Sequence, residues 1–298
     1  MTKTMTIATC QFAVTDNPKH NGRIIRRQMR RAKESGAEIV HFSECSLSGY
    51  AGAEFSSWDG YDWSVLADET EEIFDLASQL KLYIILGSSH PLGEGLLPHN
   101  SLYLISDRGQ IADRYDKSFC TGGDLKYYTC GSHLTTFEFK GVKCGLLICY
   151  DFRFPEIHRA YQREGVFIIF HSFYQARRGG KPGVLDVVAV PTIQTRASEN
   201  FTWIIANNTS VRHSSWPSLI VRPDGIIAAQ LQRHRAGVLV HTIDLEESAE
   251  LYNAAGPYIE RSVSGILYSG TPTSVDRSTI RQTPTRPYKS SVDSIVHV

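Results

Sequence analysis

The sequence predicts a layered α/β fold whose sheet is partly parallel and partly antiparallel. Three observations predict it. Strand-like and helix-like segments alternate at the start of the chain. Two hairpin signals follow, and strand–helix alternation then returns before a last group of short strands. Parallel strands need helical crossovers and hairpins need none, so this order calls for a mixed sheet with helices layered on it.

The elements follow in order. Residues 6–12 alternate apolar and polar side chains, as a half-buried strand does. Asn17-Pro18 has the form of a helix start, an N-cap followed by proline in the first turn. Ile25, Met29 and Ala32 then fall on one helical face, and Gly36 stops the helix. Residues 38–42 form a second, buried strand that ends at Ser43-Glu44. A helix fits 69–80, with Ile73, Leu76 and Leu80 on one stripe, and 83–87 is a third strand. Segments 100–106 and 111–115 flank Asp107-Arg108-Gly109-Gln110, a hairpin signal; 135–139 and 142–149 flank Lys140-Gly141, a second one. A short helix over 155–163, a buried strand over 166–170, a helix over 185–200 and a strand over 203–207 follow. Short strands at 219–221, 226–228 and 238–240 finish the set, with Pro223-Asp224-Gly225 as a tight turn. No Pro/Gly-rich linker divides the chain before about residue 260, and no repeat occurs at solenoid periods. One domain, 1–262, is therefore expected. The Ser-, Thr-, Pro- and Arg-rich stretch 263–298 reads as an extended tail.

Composition narrows the function classes. Apolar residues make up 42% and charged residues 21%, and 31 Lys and Arg balance 31 Asp and Glu. A nucleic-acid binder would carry a basic excess, so none is expected as partner. Arg26-Arg27 and Arg30-Arg31 read as a solvated helix face. No apolar run approaches the roughly 20 residues of a membrane span, and no charged n-region leads an apolar stretch. A cytoplasmic enzyme without membrane contact is the expectation. The six cysteines include no Cys-x-x-Cys pair and the eleven histidines no His-Glu-x-x-His, so neither a disulfide framework nor a zinc site is expected.

Three residues stand where chemistry could be done. Cys149 ends the apolar run Cys144-Gly145-Leu146-Leu147-Ile148, just before a turn into a helix. That position exposes a nucleophile and aims the next backbone N–H at a reacting carbonyl. Glu44 ends the second strand, and Lys117 closes the strand before it in Arg114-Tyr115-Asp116-Lys117. Strand C-termini are where α/β enzymes place their sites. Taken singly, each residue has a plainer reading: a core cysteine, an exposed strand-end acid, a surface lysine.

As an ordered set, the motifs resemble the nitrilase superfamily of carbon–nitrogen hydrolases. Glu44 with Gly49-Tyr50, Lys117 after Arg114-Tyr115-Asp116, and Cys149-Tyr150-Asp151-Phe152-Arg153-Phe154-Pro155-Glu156 match its three parts in order. Arg196-Ala197-Ser198-Glu199-Asn200, Asn207 and the segment from Ser218 to Gly225 agree with it, and the likeness covers about residues 5–245. The resemblance implies a four-layer α–β–β–α sandwich, pairing through helices into a homodimer or higher homo-oligomer, on whose neighbouring subunit the tail could dock. It implies a small-molecule amide substrate and no metal or organic cofactor. It further implies that Glu44 takes the thiol proton of Cys149, that Lys117 and the Tyr150 N–H hold the oxyanion, and that a thioester forms and is hydrolysed.

One position departs from the family pattern. Asp124 stands where a second glutamate is expected, one methylene shorter. Tyr50, Asp124, Tyr150, Phe173 and Tyr174 are expected to wall the substrate pocket, Arg177 and Arg178 to be placed to meet a substrate carboxylate, and 179–183 to form a mobile rim. The run after Cys149 is closest to the amidase branches, including those acting on ω-amides of dicarboxylic acids. Hydrolysis of N-carbamoyl compounds or nitriles is the alternative. Two further readings compete: a binding subunit that has lost catalysis, supported by the Asp124 departure alone, and a Cys-His protease, which would need a histidine and an orienting Asn or Asp beside Cys149.

Overall fold

The computed structural model of the chain describes residues 4–176 and 183–265. Strand β1 (Thr4–Gln11) leads to helix α1 (Pro18–Glu34), and Asn17 caps that helix by accepting the His20 N–H at 3.0 Å. Strand β2 (Ile39–Phe42), helix α2 (Trp63–Leu80) and strand β3 (Tyr83–His90) follow. Helix α2 begins at Trp63, not at residue 69, because the Asp62 carboxylate accepts the N–H groups of Ser64 and Val65 and so starts the helix there. The two expected hairpins are β4 (His99–Ile105) with β5 (Ile111–Asp116), and β6 (Thr136–Phe139) with β7 (Val142–Ile148).

Helix α3 (Pro155–Arg163), strand β8 (Ile168–Ser172), helix α4 (Val184–Asn200) and strand β9 (Trp203–Asn207) complete a second set of crossovers. Strand β8 lies two residues beyond the expected 166–170. Its polar end, His171 and Ser172, is buried rather than solvated, and the Ser172 hydroxyl donates to the Phe42 carbonyl at 2.7 Å. Strands β10 (Leu219–Val221), β11 (Ile227–Gln230) and β12 (Gly237–Asp244) precede helix α5 (Leu245–Ser264). Helix α5 is absent from the elements read out of the sequence; Gly256-Pro257 in its middle is a helix-breaking signal that the packed chain overrides.

The twelve strands form two six-stranded sheets, ordered β12-β1-β2-β3-β4-β5 and β11-β10-β9-β8-β7-β6. Each has the same plan. Three central strands run parallel, β1-β2-β3 in one and β7-β8-β9 in the other, and antiparallel neighbours flank them. Alternate side chains of a strand point to opposite faces, and the cores divide accordingly. Ile7, Ile39 and Ile85 point inward and share a core with Leu146, Phe170 and Ile205 of the second sheet. Ala8, Val40 and Ile84 point outward and pack under Ile25, Met29 and Ile73 of α1 and α2. Tyr161, Ile193 and Ala197 of α3 and α4 cover the outer face of the second sheet. The result is the expected four-layer α–β–β–α sandwich.

By contacts, Met1–Ile259 form one compact unit and Glu260–Val298 a second, of which 260–264 are the end of α5. Residues 262–264 are therefore helical rather than extended. The rest of the expected tail lies outside the described residues. No helix among the described residues is long and apolar enough to cross a membrane.

Candidate active site

The fold brings three strand ends together. Glu44 follows β2, Lys117 follows β5 and Cys149 follows β7. The backbone between β2 and α2 passes so close to β3 that a Cβ on Gly87 would lie 2.0 Å from the Ser43 carbonyl oxygen. Glycine is what permits that approach, and the Gly87 carbonyl then accepts the Leu47 N–H at 2.9 Å. Gly131 does the same behind Lys117, where a Cβ would meet the Asp116 carbonyl oxygen at 2.2 Å. Cys149 opens a short 3-10 turn with φ of 41°. A side-chain-bearing residue in that left-handed region costs about 1–2 kcal/mol, and the His171 ring N–H helps hold the turn by donating to the Cys149 carbonyl at 3.2 Å.

Lys117 is fully buried and links two acids. Its Nζ donates to Glu44 Oε1 at 2.7 Å and to Asp124 Oδ2 at 2.9 Å. Its third N–H meets no acceptor among the described residues. Glu44 Oε1 also accepts from Asn100 Nδ2, and Oε2 accepts the Tyr174 N–H, each at 2.7 Å. Asp124, on the 3-10 turn Asp124–Lys126, accepts the Thr121 N–H at 2.8 Å and the Tyr50 hydroxyl hydrogen bond. The turn carries the shorter aspartate far enough to reach Lys117. The sequence departure at this position therefore leaves the lysine doubly paired.

Burial disfavours each charge, and the neighbours decide the outcome. For Lys117 burial works against the ammonium, but Glu44, with Tyr50, Cys149 and Asp124, outweighs it and holds the pKa well above the ordinary lysine value. For Asp124 burial works against the carboxylate, and Lys117 and the Tyr50 hydroxyl overcome it, so its pKa is lowered. The Cys149 thiol is pushed well above its ordinary value by burial and then by Glu44, with Lys117 opposing too weakly to reverse it. Burial and Glu44 both favour the neutral thiol of Cys149 over the thiolate. Among the described residues, no three His, Cys, Asp or Glu side chains are grouped to hold a metal ion.

A cavity of about 660 Å³ opens over Cys149, and Tyr50 and Tyr174 form part of its wall. Their rings stack at 4.8 Å. Asp124 lies beneath that wall, buried behind Tyr50. Asp124 is therefore not part of the wall as expected, and two further expected pocket residues are not there either. Phe173 is fully buried and stacks on His171 at 4.2 Å and edge-on to Trp216 at 4.8 Å; with β8 running to Ser172, strand alternation turns Phe173 into the core and Tyr174 toward the cavity. Tyr150 turns away along the 3-10 turn and meets the Phe154 ring edge-on at 5.6 Å. Arg177 and Arg178, with most of the expected mobile rim, lie outside the described residues. Conversely, Glu54, Thr121, Gln175 and Arg212 line the cavity, and Asn100 holds Glu44. Asn100 opens the expected strand 100–106, at the strand's start rather than at its C-terminal end, and the other four stand at no strand end that the sequence marks out, so nothing local signals their roles.

Asp151 is a buried clamp on the turn that opens at Cys149. Its carboxylate accepts the N–H groups of Ile148 and Phe119 at 2.9 Å and the Tyr115 hydroxyl at 2.8 Å, tying the end of β7 to the loop after Lys117. Burial raises its pKa to about 6, against these hydrogen bonds. Three donors converge on it, and asparagine would turn its own N–H₂ toward one of them. Asp151→Asn is therefore expected to cost about 1–3 kcal/mol of stability, read as a lower urea midpoint, and to lower kcat more than it raises KM. An unchanged midpoint and kcat would show that the clamp does not hold the turn.

On this fold, a thiol, a carboxylate and an ammonium gathered at adjoining strand ends are the group set of a thiol hydrolase, and that is the class the geometry defines. The chain belongs to the carbon–nitrogen hydrolase family, whose model matches residues 6–253. It is 24% identical over 242 residues to the human omega-amidase NIT2, covering 75% of this chain and 82% of that protein. It is 33% identical over 157 residues to the 2-oxoglutaramate amidase of Bacillus subtilis (strain 168), covering 51% and 59%. Among solved structures, a glutamate-to-leucine mutant of the amidase from Nesterenkonia sp. AN1, with the acetamide moiety of fluoroacetamide covalently added at its active-site cysteine, superposes with a TM-score of 0.71 at 22% identity, covering 84% of this chain and 96% of that one.

Proposed function

We propose that the protein hydrolyses the amide C–N bond of a small molecule through a thioester on Cys149. One observation carries this reading: a buried ammonium, Lys117, spans Glu44 and Asp124 and keeps its third N–H uncommitted at the site of the Cys149 thiol. Among the described residues, Glu44 Oε2 has only the Tyr174 N–H as donor and so has room to take the thiol proton. The thiolate attacks the carbonyl carbon, and the oxyanion takes the free Lys117 N–H and the Tyr150 backbone N–H. Glu44 returns its proton to the leaving nitrogen, the C–N bond breaks, and ammonia or amine departs. Water, deprotonated by Glu44, then splits the thioester to a carboxylic acid and the free thiol. Asp124 and Asn100 position the two ionic groups. Relatives named as amidases support amides over N-carbamoyl compounds and nitriles.

The test measures ammonia over a panel of aliphatic amides, ω-amides, N-carbamoyl compounds and nitriles, with mass spectrometry of quenched enzyme. Release from amides with an acyl-sized mass increment on Cys149 is expected. Silence across the panel with no adduct would leave a binding protein instead. We place the enzyme in the cytoplasm as a homo-oligomer; Val184 and Val187, about three-quarters exposed on one face of α4, support a subunit contact there.

A further inference from the structure

The cavity carries two charged groups that the amide chemistry does not use. Glu54 lies on the turn after Tyr50, where its own N–H donates to the Tyr50 carbonyl at 2.9 Å and the Gly52 N–H closes onto the Phe55 carbonyl at 2.7 Å. Phe55, Trp58, Tyr61 and Trp63 brace this turn, with ring centroids 4.8 to 5.3 Å apart. Glu54 is thus a half-buried carboxylate on a packed support, facing the space above Cys149. One of its oxygens accepts from the Tyr174 hydroxyl. The other has no donor, and no cation pairs with it, among the described residues. Asp16 lies near enough to oppose its charge further. A carboxylate half out of water without a cation is costly unless a ligand supplies one.

Arg212, from the loop between β9 and β10, lines the same cavity. Its guanidinium is exposed and makes no ion pair or hydrogen bond among the described residues. An unpaired acceptor and an unpaired cation in one cavity suit a ligand with both charges at one end. A neutral tail would leave both without a charge partner, and a tail of one sign would leave one. A cavity of about 660 Å³ is ample for a small amide.

We infer that the substrate is the side-chain amide of an α-amino acid, its α-ammonium received by Glu54 and its α-carboxylate by Arg212 while the amide lies at Cys149. This rests on the amidase reading. The net reaction is RCONH₂ + H₂O → RCOO⁻ + NH₄⁺, with both α-groups unchanged.

Four amides of one chain length test it: the α-amino acid amide, its 2-oxo counterpart lacking the ammonium, an aminoalkyl amide lacking the carboxylate, and a neutral aliphatic amide. The zwitterion is expected to exceed the neutral amide in kcat/KM by roughly 10- to 100-fold. Glu54→Gln is expected to cut the preference for the zwitterion over the 2-oxo amide by about 10-fold. Arg212→Gln should similarly cut its preference over the aminoalkyl amide. Equal turnover of neutral and zwitterionic amides, with ratios unmoved by either substitution, overturns the inference and leaves the amidase reading standing. A 2-oxo amide preferred by the wild type, with the ratio unmoved in Glu54→Gln, also overturns it. No ammonia from any of the four and no adduct on Cys149 overturns both.

Discussion

Cys149→Ala is expected to abolish ammonia release, lowering kcat on the order of 10⁵-fold or more, while the protein unfolds at nearly the same urea concentration as the wild type. The chemical half follows from the loss of the nucleophile: neither Glu44 nor Lys117 can form the thioester. The structural half follows from the small change in volume. Alanine keeps the Cβ and removes one sulfur from a residue that is 9% exposed at the cavity floor. The backbone there already bears the cost of φ at 41°, which alanine bears equally. Stability should therefore change by no more than about 1 kcal/mol. Adding Glu44→Gln to Cys149→Ala should lower the rate no further, because a base without a nucleophile to activate contributes nothing. Ordinary turnover by the single variant on a substrate of the wild type would sink the mechanism.

Lys117→Met should fail in both respects. Activity is expected to fall about 10³-fold or more, since the oxyanion loses its charged donor. Stability should fall by about 3–5 kcal/mol, because removal of one partner leaves two buried carboxylates without their cation. The deficit has a pH signature whose sign can be worked out. In the wild type Asp124 has a lowered pKa, with Lys117 the largest of the lowering influences. Its contribution is present above the unfolded carboxyl pKa and is lost as pH falls through the folded value. Without Lys117, burial is opposed only by the hydrogen bonds from Tyr50 and Thr121, so the folded-state Asp124 pKa rises and this contribution shrinks or is lost. The gap between variant and wild type should thus widen as pH rises. Urea unfolding of both proteins at about pH 3 and about pH 7, on either side of the ordinary carboxyl pKa, measures it. A gap that is constant with pH, or that narrows on the alkaline side, would show that Lys117 does not carry the charge balance of the site.

Much of the layered fold was legible, because its signals are local. The Asn17-Pro18 cap, the alternation in β1 and β2 and the two hairpin turns each need only neighbouring residues to be read. The errors arose where a distant contact decides. Strand β8 runs on through His171 and Ser172 because Phe42, in the other sheet, accepts the Ser172 hydroxyl. Helix α5 continues through Gly256-Pro257 against local preference. The pocket shows the same division. Tyr50 and Tyr174 wall the cavity as expected, whereas Phe173 does not, because β8 runs to Ser172 and its alternation, carried one residue further, turns Phe173 into the core.

By itself the sequence determined the order of strands and helices as far as β12, the residues at three strand ends, and through their ordered motifs the carbon–nitrogen hydrolase family. Tertiary structure alone decided that Asp124 reaches Lys117, that Asn100 and the Tyr174 N–H hold Glu44, and that Glu54 and Arg212 face one cavity. The reason is physical. Period and capping are written within a few residues of each other, but a buried charge acquires its partners, its pKa and its role only when strands far apart in the chain close around it.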